Sequence, residues 1–213
     1  TPTSYTSLYM PLDGTYTNLG NDTVSITSQN DTFYDNVTFK AAYSDSWSWP
    51  AVVAWTLATP IDTHSCTISL RAYQVWNQPS WEWGWCNYFG LTDWQPTWNG
   101  ILTSKVGTNS YYGSNVNKIA VSKANASDAF TSITAVQMTW YHICAVWDRW
   151  NLDLYINGNL EVRTNASSYS CSTFQVGEWR TWWNSEFIIE SRPWTASEVR
   201  DYYNDNASRF IFN

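Results

Sequence analysis

The sequence predicts an all-β sandwich with one short helix near its C-terminal end. Three features carry the expectation: runs of alternating apolar and polar residues, an Asn-Gly hairpin between two such runs, and one helix start signal late in the chain. Short strands with turn residues every ten positions or so are the pattern of two packed antiparallel sheets. One domain over residues 1–213 is expected, since no stretch reads as a linker and no repeat is visible.

The elements follow in order. In Ser65 to Leu70, Cys66, Ile68 and Leu70 share one face while Ser65, Thr67 and Ser69 share the other. Tyr141 to Trp147 sets Ile143, Ala145 and Trp147 on one face, with His142, Cys144 and Val146 opposite. A strand covered on both sides has that composition. Asn151 to Ile156 follows, with Leu152, Leu154 and Ile156 inward, then Asn157-Gly158, then Asn159 to Arg163. Asn-Gly supplies the two positive φ angles of a type I′ turn, so residues 141–163 read as a β-meander. Its first corner lies at Asp148-Arg149-Trp150-Asn151. Thr195-Ala196-Ser197-Glu198 is a capping box. Val199, Tyr202 and Tyr203 give an apolar stripe over Glu198 to Asn204, about two turns of helix. Phe210-Ile211-Phe212 then reads as strand.

Composition bounds the function. Eleven basic against eighteen acidic residues give a net charge of −7. Neither phosphate neutralisation nor attraction to anionic headgroups is on offer, which argues against nucleic acid and membrane surfaces. Aromatic residues reach 18%, including 16 Trp, while charged residues are only 14%. That loading offsets chain entropy and excludes disorder. No apolar run approaches the ~18 residues of a membrane span. The chain begins with Thr1, so removal of an initiator methionine, a signal peptide or another preceding stretch is expected.

Cys66, Cys86, Cys144 and Cys171 show neither a CxxC pair nor zinc-finger spacing. Buried thiols at Cys66 and Cys144 and a single disulfide both remain open. Asn21, Asn30, Asn36, Asn125, Asn165 and Asn206 head N-x-[ST] sequons, as possible glycosylation sites. About four such matches are expected by chance, so glycosylation is permitted and not indicated.

Three segments carry a resemblance. LYMPLDGTYTNLGNDTVSITSQNDTFYDNVTFKAAY resembles the opening of laminin-G-like domains of the concanavalin A-like lectin and glucanase superfamily. WYHICAVWDRWNLDLYINGNLEVRTNAS resembles that family's His-containing strand, acidic turn and L-x-L-Y-I-N-G hairpin. TFQVGEWRTWWNSEFIIESRPWTASEVRDYYN is similar to its closing strand and [LW]-[ST]-x-x-E-[IV] helix. Together they cover roughly residues 7–44, 140–168 and 173–204, in the family's order. The resemblance implies a concanavalin A-like jelly roll of two antiparallel sheets. It also implies a binding module of secreted, cell-surface or virion proteins, similar to those of bacteriophage and bacterial surface proteins.

Some relatives with this fold are glycoside hydrolases or polysaccharide lyases, typically with an E-x-D-x-E or E-x-D-x-x-E strand. No such motif occurs here. The nearest candidate pair, Glu186 and Glu190, is four residues apart on one strand face with Ile188 between. A structural carboxylate is the expected role. His142 reads as a packed strand residue and His64 as a strand start. No catalytic residue, metal ligand or cofactor is assigned. Ca²⁺ stays open, because several relatives bind it through loop carboxylates, and Asp128, Asp148, Asp153 and Glu178 are available.

The clearest anomaly is aromatic. Trp76, Trp81, Trp83, Trp85, Tyr88, Trp94 and Trp98 crowd one stretch, interleaved with Pro, Asn and Gln. In Trp81-Glu82-Trp83-Gly84-Trp85 an extended chain presents three indoles on one face. These seven residues are the candidate carbohydrate-binding set, a platform on which sugar rings stack; filling of the sandwich interior is the competing use. Trp179, Trp182 and Trp183 form a second group, suited to the same surface or to a protein interface. The expected function is non-catalytic, lectin-like binding of neutral glycans by an extracellular, cell-surface or virion-surface protein. A structural subunit of a fibre, capsid decoration or filament, self-assembling or docked on other surface proteins, is the alternative. A carbohydrate-active enzyme is the minor one.

Overall fold

The computed structural model describes residues 2–12, 15–29, 32–35, 40–43, 53–74, 85–91, 102–106, 114–115, 117–123, 126–165, 170–178 and 182–210. Its strands are β1 (Thr6–Met10), β2 (Val24–Gln29), β3 (Thr32–Asp35), β4 (Lys40–Tyr43), β5 (Val53–Asp62), β6 (Ser65–Gln74), β7 (Trp85–Leu91) and β8 (Leu102–Val106). They continue as β9 (Lys118–Lys123), β10 (Ala126–Thr134), β11 (Thr139–Asp148), β12 (Asn151–Ile156), β13 (Asn159–Asn165), β14 (Ser170–Glu178) and β15 (Trp182–Glu190). One α-helix, α1 (Ala196–Ala207), follows.

Two antiparallel sheets result. The first runs β13-β12-β11-β6-β15-β4-β3, with β1 pairing the C-terminal half of β15. The second runs β10-β9-β8-β7-β14-β5-β2. The all-β sandwich read from the sequence is the observed architecture. Among the described residues no helix is long and apolar enough to cross a membrane.

Period-2 alternation decides the interior. Cys66, Ile68, Leu70 and Ala72 of β6 and Ile143, Ala145 and Trp147 of β11 face the second sheet, fully buried. They meet Trp55, Phe89, Phe174 and Val176 from that sheet. Phe187 of β15 stacks on Trp55 across the sandwich, ring centroids 5.4 Å apart, and lies 6.2 Å from Phe89. Burying each such ring contributes about 2–3 kcal/mol.

The first sheet is covered on its other side too. Cys144, Val146, Tyr155 and Ile188 pack against Trp194 and Val199, so β11 is buried on both faces as its composition predicts. The polar positions Thr67 and Ser69 of β6, which alternate like a solvated face, are equally buried here.

Local signals hold where they were strongest. Asn157 and Gly158 have φ of 51° and 78°, and β11, β12 and β13 form the meander. Its first corner turns at Arg149, φ 59°, between the paired Asp148 and Asn151. A Cβ on Gly158 would sit 3.2 Å from the Tyr203 ring, because α1 lies on this hairpin. The capping box closes on both sides: Thr195 Oγ1 accepts from Glu198 N at 3.2 Å, and Glu198 Oε2 accepts from Thr195 N at 2.7 Å.

Two expectations are corrected. The helix runs twelve residues rather than two turns, since Asn204 to Ala207 continue it where no Gly or Pro stops them. Phe210 ends a 3₁₀ turn, Ser208–Phe210, and is not strand; residues 211–213 lie outside the described residues.

Candidate functional site

The register of β11, β6 and β15 sets three aromatic residues side by side. Trp140 pairs with Tyr73, and Tyr73 pairs with Trp183. The Tyr73 and Trp183 rings stack at 4.8 Å with 13° between planes, and Trp140 tilts against Tyr73 at 5.3 Å. Cross-strand neighbours at that spacing form a continuous row across the sheet. On β6, Tyr73 alternates with the core residues Leu70 and Ala72, so the row lies on the outer face, beyond the area that α1 covers. Tyr73 is only 3% exposed, held between the two half-buried indoles. The indole nitrogens of Trp140 and Trp183 are buried, which leaves ring faces and edges as their contact surface. The Tyr73 hydroxyl donates to Met138 Sδ at 3.4 Å, and Met138 and Val136 stand exposed beside the row.

A buried polar network borders it. Arg71, two residues before Tyr73, pairs through Nε with Glu186 Oε2 at 2.9 Å. Tyr202 OH donates to the same oxygen at 3.1 Å, and Arg209 Nη1 pairs with Oε1. Glu186 is 1% exposed and sits at φ 54° in a bulge where the β15–β6 register slips between Ser185 and Ile188. The left-handed backbone there costs about 1–2 kcal/mol, which the charge contacts offset. Burial and the Glu186 carboxylate hold the Tyr202 phenol well above its ordinary range. His142 Nε2 lies 2.8 Å from Ser69 Oγ, and the ring packs against Tyr202 and Tyr203. Burial, with the Arg71 charge adding to it, pulls the imidazole down to about 3, so it is neutral at physiological pH.

Glu190, 3% exposed, is as firmly engaged. It accepts from Thr3 and Thr6 hydroxyls at 3.1 and 2.9 Å and from the Trp194 indole at 2.6 Å, with Arg192 Nε at 3.3 Å. Both carboxylates lie under α1 and the segment leading into it. The arrangement orders strands and helix.

The carbohydrate-binding set read from the sequence is placed only in part. Trp76, Trp81, Trp83, Trp94 and Trp98 lie outside the described residues, as does Trp179. Trp85 and Tyr88 are on β7, with their own side chains outside the description. The described aromatic row instead joins Trp183 to Trp140 and Tyr73. Its members come from three strands, and only the register brings them together. Gln74, next to Tyr73, is the last residue before the segment that carries Trp76, Trp81 and Trp83.

Of the carboxylates considered for Ca²⁺, Asp153 is engaged in a bidentate pair with Arg163 at 2.7 and 2.6 Å. Asp148 is exposed at the end of β11, and the Asp128 and Glu178 side chains are outside the description. Among the described residues no group of three metal-ligating side chains occurs. Cys66 and Cys144 are buried free thiols, raised by burial far above the thiolate range. Of the sequon asparagines, Asn21 and Asn165 are exposed, Asn206 is half-buried and donates to Tyr202 O, and Asn30, Asn36 and Asn125 lie outside the described residues.

No family model matches the chain, and no curated protein matches it in sequence. Solved structures do match its fold. The binding domain of botulinum neurotoxin serotype D superposes with a TM-score of 0.73 at 10% identity, over 95% of this chain and 51% of that one. Trypanosoma rangeli sialidase matches at 0.68 and 11% identity, over 99% of this chain and 34% of that one. Domain 4 of AbnA, a GH43 extracellular arabinanase from Geobacillus stearothermophilus solved with arabinotriose, matches at 0.63 and 15% identity, over 92% and 97%. The chain thus spans about half of the toxin binding domains and a third of the sialidase. The likeness is one of fold: an antiparallel β-sandwich of the kind these toxin and enzyme domains also use.

Proposed function

We propose that the chain is a non-catalytic, lectin-like carbohydrate-binding module that works at an extracellular, cell or virion surface. The observation that carries the reading is the aromatic row Trp140–Tyr73–Trp183 on the first sheet's outer face. The half-buried Trp140 and Trp183 rings, set on either side of Tyr73 by rigid strands, suit the C–H faces of sugars at a fixed spacing. The fold likeness to toxin binding domains and to an arabinanase domain solved with arabinotriose supports a binding role. The laminin-G-like segments of the sequence support the adhesion setting. Engagement of Glu186 and Glu190 by arginine, tyrosine, threonine and tryptophan supports the non-catalytic reading, since neither is left to move a proton on a substrate.

Intrinsic tryptophan fluorescence tests it, with neutral and anionic oligosaccharides titrated at micromolar protein. A shift or quench with one sugar class is expected. Trp183→Ala is expected to weaken that binding about fivefold, the ~1 kcal/mol of one aromatic contact. Silence across the panel would remove the reading. A second reading has its own observation: Val136 and Met138 stand 58% and 64% exposed beside the same row. Apolar side chains next to aromatic ones suit a protein contact, as in a fibre or decoration subunit. Concentration-dependent association in sedimentation, lost in Met138→Glu, is its expected signature.

A further inference from the structure

At the opposite end of the sandwich lies a cleft of roughly 460 Å³. Four separate chain segments build it, and a small set of contacts fixes their positions. Residues 18–22 are strapped to β1: Leu19 N donates to Tyr9 O, Asn21 N to Thr6 O and Asp22 N to Ser7 O, at 2.8, 2.8 and 3.1 Å. Asn18 Oδ1 accepts from Tyr9 N and Gly20 N at 2.8 Å each. A Cβ on Gly20 would lie 2.6 Å from Ser7 O, so only glycine lets the strap come this close. Asp22 then reaches the end of β5, where its Oδ2 accepts from Thr59 N at 3.0 Å. Asp62 Oδ1 accepts from His64 N at 2.8 Å in the turn that joins β5 to β6.

The lining is chemically uniform. Hydroxyls come from Ser4, Ser7 and Ser65, with those of Thr6, Thr59 and Ser191 donating to Glu190, Asp22 and Tyr5 O; carboxylates come from Asp22 and Asp62, and an apolar floor from Ile61. Among the described residues no lysine or arginine lines it. Arg192, the nearest base in sequence, is held by Glu190 and Glu198. Two exposed aromatic residues adjoin the residues that build it. Tyr5, between lining residues Ser4 and Thr6, is 52% exposed. Trp150, 64% exposed, sets its indole 5.0 Å from the His64 ring, edge to face, beside Asp62 and Ser65.

We propose that this cleft is a second carbohydrate site, which takes a neutral polyhydroxylated sugar and excludes anionic ones. The proposal rests on the glycan-binding reading of the chain. Paired hydroxyls of a sugar donate to a carboxylate while its oxygens accept from Ser and Thr hydroxyls, a match that needs both kinds of group in one cleft. The exposed Trp150 indole beside this turn offers stacking area, while the Tyr5 ring carries the Arg192 guanidinium 5.6 Å from its centroid. Two carboxylates, with no basic partner among the described lining residues, repel a sialic acid or uronate. The cleft holds Ser65, the first residue of β6, and the aromatic row holds Tyr73 near its last; at ~3.3 Å per residue the two sites are about 25–30 Å apart. One long glycan, or two copies of a short one, can engage both.

Amide chemical-shift mapping of the full chain decides it, with arabinotriose and cellotriose as neutral probes, sialyllactose as the anionic one and CaCl₂ as a control. The expected result is saturable shifts at Thr59, Asp62 and Ser65 with a neutral probe at about 10 mM, enough to fill a site of ~1 mM affinity. Asp62→Asn, which keeps the acceptor for His64 N, is expected to weaken that response about tenfold, the loss of one charge-assisted contact. Trp150→Ala, an exposed position, is expected to weaken it severalfold. Neither change is expected to alter responses at Tyr73 and Trp183. No response at the three cleft amides overturns the proposal, and responses at Tyr73 and Trp183 alone leave the first site standing without it. An equal response to sialyllactose overturns the charge selection. Shifts with CaCl₂ and none with sugar overturn the proposal in favour of a cation site.

Discussion

The two faces of the eight-stranded sheet are made by the same strands and held by different physics. Toward the second sheet, Ile68, Leu70, Ile143, Ala145 and Phe187 are apolar, and area removed from water is enough to hold them. Toward α1, buried Thr67, Ser69, Arg71, His142, Glu186 and Glu190 each need a particular partner. An apolar face accepts a volume-conserving exchange at little cost. A buried polar face does not, because the loss of one group strands its partner in a place water cannot reach. The inner face therefore sets stability by volume, and the outer face specifies how α1 sits.

Adjacent residues of β15 sharpen that contrast. Phe187→Ala empties the stack on Trp55 and is expected to cost about 3–5 kcal/mol in denaturant unfolding, while Phe187→Leu costs far less. Glu186→Gln keeps the volume and removes only charge. It is expected to cost about 3 kcal/mol, because Arg71, 2% exposed, loses its buried counter-charge. If Glu186→Gln proved as mild as Phe187→Leu, the outer face would be held by packing and the contrast would collapse.

Acidification separates the faces without a mutation. The His142 imidazole titrates at about 3 in the fold against about 6.5 in the unfolded chain, so the unfolded state binds the extra proton between those values. Stability is therefore full above pH 6.5 and falls as pH drops toward 3, on the order of 1 kcal/mol per pH unit. His142→Asn is expected to flatten that limb in urea midpoints taken across the window. The described ionisable groups of the inner core, the thiols of Cys66 and Cys171 and the phenol of Tyr141, carry no charge change in that window and add no slope there. The buried thiols give a further check: Cys66 on the inner face and Cys144 on the outer are expected to resist maleimide in the native chain and to react once it unfolds.

What was legible in the sequence divides along similar lines. The Asn157-Gly158 hairpin and the Thr195–Glu198 cap are local, since the residues that need special φ or reciprocal bonds sit within four positions of one another. The burial of Thr67 and Ser69 is not local. Alternating polar residues read as a solvated face, and what meets them arrives later in the chain: the Arg192–Trp194 segment at Thr67, 125 residues on, and His142 at Ser69, 73 residues on. The bulge at Glu186 left no mark either, since Glu carries no preference for positive φ. The aromatic row shows the same limit. Composition drew attention to Trp81, Trp83 and Trp85 along one stretch, whereas Trp140, Tyr73 and Trp183 meet only through the register of three strands. The polar cleft draws on four segments whose serines and threonines are individually unremarkable, and Gly20 is the residue whose necessity could have pointed to it.

The smallest effect expected tests whether α1 is a lid on the outer face or a part of it. The Glu198 carboxyl is held down to about 2, chiefly by Arg192 and also by the Thr195 cap, so its contribution is present above pH 4.5 and lost as pH falls toward 2. Thr195→Ala removes the acceptor for Glu198 N and leaves the Arg192 contact, at a cost of about 1 kcal/mol. Because Trp194 and Val199 pack on Cys144 and Val146, that loss is expected to speed hydrogen exchange at β11 amides beneath the helix as well as in α1 itself. Faster exchange confined to α1 would mean that the helix opens alone, and that the polar face beneath it holds its order without the cover.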